Sequence, residues 1–194
     1  SAYSFAAGDY FMLAQFIEGY NVSDLAWGTA NAKTVTLSFQ VYSSLTGTFG
    51  GSLSNGASNR SYPFTYTISS ANTWTTITVN IAGDTSGTWV GATNGVGVYV
   101  IFGLGTGSSY SGTANTWASA AYYAPTGAVS VVGTNGATFY ITGVQLEVGS
   151  SATGFEYRQY TNEFALCQRY YQKAPITYGA AINTTTLGTC YDFP

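Results

Sequence analysis

The stretch Thr34-Val-Thr-Leu-Ser-Phe-Gln-Val41 sends Val35, Leu37, Phe39 and Val41 to one side and Thr34, Thr36, Ser38 and Gln40 to the other. A period of two marks a strand with one face in a core and the other in water. Tyr62-Pro-Phe-Thr-Tyr-Thr-Ile68 repeats the pattern. So does Trp74-Thr-Thr-Ile-Thr-Val-Asn-Ile81, with Ile77, Val79 and Ile81 inward, Thr76, Thr78 and Asn80 outward, and residues 69–72 as the connection before it.

Gly95-Val-Gly-Val-Tyr-Val-Ile-Phe102 is apolar almost throughout, as a central strand covered on both faces would be. Residues 129–132 and 138–148 supply further strands, and residues 10–17 another. Gly143 is the expected bulge where the apolar phase moves from Phe139 and Ile141 to Val144, Leu146 and Val148. Residues 47–59, 84–94 and 103–121, rich in Gly, Ser, Thr and Asn, read as connections.

Strands that each carry one apolar face bury it most simply by stacking two antiparallel sheets. The expected fold is therefore all-β, an antiparallel jelly-roll β-sandwich over residues 1–150. A short C-terminal exit segment, residues 151–194, follows as a subunit interface or the start of a further module. There Asn162 is expected to cap a short helix carrying Phe164, Cys167 and Tyr171.

Composition narrows the function. Of 194 residues 7% are charged and 16% aromatic, and the net charge is -3. Five Lys and Arg, scattered from Lys33 to Lys173, cannot make the basic stripe that phosphate backbones require, so no nucleic-acid partner is expected. No apolar run approaches the roughly 18 residues of a membrane span, and the start at Ser1 shows no secretion signal. The termini read as those of a piece of a longer polypeptide. Cys167 and Cys190 read as free or buried thiols, Cys167 as a packed small hydrophobe.

Histidine is absent, which removes the commonest general base and every Ser-His or Cys-His pair. Asp84, Glu147, Glu156 and Glu163 are the carboxylates a glycosidase could draw on, but no spacing singles out a pair. Glu156 and Glu163 read instead as ion-pair partners of Arg158 and Arg169. No enzyme and no cofactor are expected. Calcium is the one metal left open, with Asp9, Glu18, Asp24 or Glu147 as ligands.

Sugars are held by stacking a pyranose face on an aromatic ring, with polar side chains fixing its orientation. Trp27 and Trp74 adjoin alternating strands and are assigned to packing, whereas Trp89 and Trp117 lie in polar, Gly-rich loops. Trp117 with Tyr110, Tyr122 and Tyr123 is the expected glycan-binding platform, and Trp89 a further candidate. The competing expectation is that these rings pack beneath the loop or across a subunit boundary.

Phe139-Tyr-Ile-Thr-Gly-Val-Gln-Leu-Glu-Val-Gly149, with Phe155-Glu-Tyr-Arg158 and Ala165-Leu-Cys-Gln-Arg-Tyr-Tyr171, resembles the end of a module common in phage and prophage tail-fibre proteins. Ile17-Glu-Gly19, residues 29–39 and Ser61-Tyr-Pro-Phe-Thr-Tyr66 look like its earlier strands. Gln40, Tyr42 and Gln159 depart from the usual pattern. The resemblance implies a carbohydrate-binding-module-like jelly roll in a virion appendage, homo-oligomeric and by analogy trimeric, that meets a host cell-surface polysaccharide. Two other roles are a purely structural fibre joint, with Tyr157, Tyr160, Tyr170 and Tyr171 as interface anchors, and a polysaccharide-active enzyme or secreted carbohydrate-binding module.

Overall fold

The computed structural model describes residues 2–169 and 171, so Cys190, Tyr170 and Lys173 lie outside the described residues. Its strands are β1 Tyr10–Glu18, β2 Val35–Ser43, β3 Gly47–Asn55, β4 Ser61–Ile68, β5 Thr75–Ile81, β6 Val96–Thr106, β7 Ser111–Gly112, β8 Ala124–Pro125 and β9 Phe139–Val148; among the described residues one α-helix, α1, spans Tyr160–Gln168.

The alternation in β2 works as its residues dictate: Val35, Leu37, Phe39 and Val41 are buried and Gln40 is exposed. Antiparallel pairing sets Leu37 between Val79 of β5 and Leu146 of β9, so the apolar residues of three strands share one face. That sheet, ordered β5-β2-β9, lies against a four-stranded sheet ordered β1-β6-β3-β4. Between them Phe39 meets the rings of Tyr66 and Phe102 edge-on at 5.1 and 5.0 Å. Burying each such side chain contributes about 1.5–3 kcal/mol, which is what holds the two sheets together. The protein is thus an all-β antiparallel sandwich. Its two main sheets hold seven strands among the described residues, where an eight-stranded jelly roll would have one more.

β6 runs between β1 and β3, the central position its apolar sequence called for. The bulge at Gly143 is also present: its φ is +59° and the β2–β9 register shifts between Ser38 and Gln40. Leu146 is then half-buried, while Val144 and Val148 remain exposed.

Four sequence-based expectations are corrected. Residues 47–59 are no mere connection but contain β3, an inner strand with no apolar alternation because both its faces are covered. Phe49 and Leu53 face the core, while Gly50 on the other side is met by Pro125 of the long connection after β6. Residues 129–132 form no strand; the Val129 N–H donates to the Thr48 carbonyl and the Val131 N–H to the Leu104 carbonyl, pinning that connection instead. Asn162 does not cap α1, which starts at Tyr160, so the Asn162 N–H donates to the Gln159 carbonyl from within the first turn. Cys167 is an exposed free thiol rather than a packed one.

The chain divides into two compact units, residues 1–155 and 156–194. In the second, Arg158 pairs with Glu163 at 3.3 Å and the Tyr160 ring stacks on Phe164 at 5.8 Å. Among the described residues no helix is long and apolar enough to cross a membrane.

Candidate functional site

The outer face of β5, β2 and β9 faces solvent except where the turn after β9 covers it, and strand register decides what lines up there. Tyr42 is out of phase with Phe39 and Val41 and pairs directly with Tyr140 of β9. Trp74 precedes Thr75, the partner of Val41, and so reaches the same row from the β5 side. The earlier assignment of Trp74 to packing is therefore corrected: it is 51% exposed, Tyr140 is 54% exposed, and Tyr42 sits half-buried between them.

The Tyr42 centroid lies 5.6 Å from Trp74, at 52° between ring planes, and 5.6 Å from Tyr140, at 66°. Rings this steeply inclined do not form a flat shelf. They border a shallow, solvent-open cleft of about 240 Å³ lined by these three residues.

Below the aromatic row the same face carries uncharged hydrogen-bonding side chains in register. Gln40 lies between Thr76 and Thr142, and Ser38 between Thr78 and Gln145. Next comes Thr36 between Asn80 and Glu147, and there the face closes. Thr36 is fully buried, its hydroxyl 2.8 Å from the Gly149 carbonyl and 2.9 Å from Asn80 Oδ1. The Thr153 N–H donates to Glu147 Oε2 at 3.0 Å and its hydroxyl to Oε1. Hydrogen bonds from Gln145 and Thr153 hold the Glu147 carboxyl below its ordinary range. The face is thus sealed by the turn after β9 at one end and open at the aromatic end.

The five residues singled out from sequence do not share one platform. Trp117 is half-buried; its Nε1 donates to the Ala82 carbonyl at 2.7 Å and its ring lies 5.3 Å from Trp27, 5.5 Å from Trp89 and 5.2 Å from Tyr62. With Trp27 buried and its Nε1 bonded to the Lys33 carbonyl, Trp89 and Trp117 complete one end of the core. Tyr110 and Tyr123 stack elsewhere at 5.0 Å, with the Tyr10 ring edge-on to both. Tyr122 lies over Gly112, whose missing side chain makes room for it. Burial, and after it the neighbouring Tyr10, pushes the Tyr123 phenol up.

The carboxylates are occupied in ways their sequence context did not reveal. Asp84 is buried and takes two hydrogen bonds from Arg60, from Nε at 2.7 Å and from Nη2 at 2.6 Å. Asp9 accepts from the Tyr3 hydroxyl and the Ala6 N–H, and Asp24 lies 3.7 Å from Lys33. Among the described residues no three His, Cys, Asp or Glu side chains come together to hold a metal ion.

Comparison of the chain with protein-family models, curated proteins and solved structures finds no match. A functional reading therefore rests on the aromatic cleft and the face beneath it. Two of its three residues were legible in principle, since Tyr42 and Tyr140 stand at outward positions of alternating strands, where an aromatic ring has no packing role to play.

Proposed function

We propose that this chain is an adhesion module of a phage tail fibre or related virion appendage that binds a host surface glycan without cleaving it. The observation that carries the binding part is the solvent-open Tyr42, Trp74 and Tyr140 cleft at the head of an uncharged polar face. Aromatic walls take the apolar face of a sugar ring, and Gln40, Thr76 and Thr142 stand below them to meet its hydroxyls. The virion context is supported by the sequence resemblance, one segment of which forms β9 and contributes Tyr140.

The non-enzymatic reading draws support from the lack of histidine and from the commitment of Asp84 to Arg60. Purified protein incubated with host cells and their extracted polysaccharide, with retention and reducing-end release measured together, tests it. Retention that Trp74→Ala abolishes is the expected result. Release of reducing ends would replace adhesion by hydrolysis.

One observation favours a second role in fibre assembly. β1 ends the four-stranded sheet, with β6 as its sole strand neighbour among the described residues, and exposes Tyr10, Phe11, Leu13 and Phe16. Edges of that kind recruit further chains.

A further inference from the structure

We infer that the Tyr42, Trp74 and Tyr140 cleft takes an uncharged sugar ring and turns away anionic ones; this rests on the glycan-binding reading above. The cations of the first unit decide it. Residues 1–155 contain two, Lys33 and Arg60, against the five carboxylates of Asp9, Glu18, Asp24, Asp84 and Glu147. Arg60 is spent on buried Asp84, with its third contact on the Ser119 hydroxyl, and Lys33 lies beside Asp24. Lys33 also precedes β2, whose opening residue Val35 is at the end of the strand away from Tyr42.

The row below the cleft, Thr76, Gln40 and Thr142, is open and neutral; the next, Thr78, Ser38 and Gln145, is neutral too, and there the Gln145 amide already donates to Thr153 and Gly154 of the turn after β9. The nearest charge that the strand register brings to this face is Glu147, one row further on. A carboxylate on the sugar would lose hydration against the aromatic rings and find no cation of residues 1–155 beside it to offset that loss. A neutral pyranose loses little and gains stacking and hydroxyl contacts.

The test measures binding of the full chain to neutral gluco-, galacto- and manno-oligosaccharides and to counterparts of equal length bearing uronic acids, followed by tryptophan fluorescence and by saturation-transfer NMR. Neutral ligands should bind at least about tenfold more tightly than their charged counterparts, with no loss at high salt, and Trp74→Ala should abolish the signal. Thr142→Lys should bring the matched uronate to parity. Trp74-dependent binding of both classes alike, or preference for the uronate, would overturn the selectivity and leave the glycan reading standing. Binding of neither class, or binding that survives Trp74→Ala, would overturn the assignment of the cleft itself.

Discussion

Arg60 and Asp84 tie the loop after β3 to the loop after β5, and a third side chain makes that tie rigid. Asn55 accepts hydrogen bonds from the Asn59 and Arg60 N–H groups and donates to the Thr88 carbonyl, so it fixes the turn from which Arg60 reaches out. The Asp84 side chain is 2% exposed and that of Arg60 12%, so the pair works out of water. Removing one partner leaves a buried charge uncompensated, and Arg60→Met is expected to cost about 3–5 kcal/mol in urea unfolding. Arg60→Met with Asp84→Leu should recover part of that loss, and no recovery would mean that the Ser119 contact carries the effect.

Tyr66 poses the opposite case. Its ring stacks on Phe49 at 5.8 Å, but its buried hydroxyl has no hydrogen-bond partner among the described residues. Burial raises its pKa far above the ordinary value of 10.0 because the phenolate cannot be solvated there. A folded-state pKa above the unfolded one gives a contribution fully present below about pH 10 and lost as pH climbs towards the folded value. Tyr66→Phe should therefore gain about 1 kcal/mol at neutral pH and unfold less steeply with pH above 10. Thermal melts across that range check both parts, and a loss of stability at neutral pH would show that the hydroxyl has a partner.

At the scale of the elements, legibility in the sequence follows from how many faces of a strand are covered. β2 and β5 have a polar outer face, so their alternation names them at sight. β3 is covered on both sides and carries Gly50 and Gly51 where neighbours come too close for a side chain: a Cβ on Gly51 would strike the Ile101 carbonyl, and one on Gly50 the Pro125 ring. The same glycines that make β3 read as a loop are what let it pair with β4 and β6. Gly51→Ala is expected to cost about 3 kcal/mol, read as a lowered urea midpoint, because the obstacle is backbone in a paired strand. Trp74 reads as a packing residue in the sequence for a related reason. Proximity to an alternating strand places a residue on the sheet, but only phase and register say which face it joins, and the partners Tyr42 and Tyr140 lie far apart in sequence.

The two edges of the four-stranded sheet differ in the same physical terms. β4 has Pro63 in its run, its carbonyl capped by the Asn115 N–H, and Ser61 bridged to Ala118. β1 has no proline and no charge from Tyr10 to Ile17. If assembly uses this edge, Ala14→Pro should lower the sedimentation-derived mass at high protein concentration while leaving Trp74-dependent glycan binding in place. An unchanged mass would separate the edge from assembly.

For the whole molecule, the question is which part of the chain the fold requires. Among the described residues all nine strands lie within residues 1–155, and the buried core runs from Leu25 to Val131. The residues that build α1 bury none of their side chains and stand in the other unit. The chain-entropy cost of the sandwich is therefore met within its own sequence, chiefly by the apolar faces of β2 to β6. A chain ending at residue 155 is expected to unfold cooperatively, with a midpoint close to that of the full chain, and to keep the Trp74-dependent binding. If it lost cooperativity, the sandwich would depend on residues 156–194. If it kept its fold but lost binding, those residues would belong to the recognition surface, and the cleft would be only part of the site.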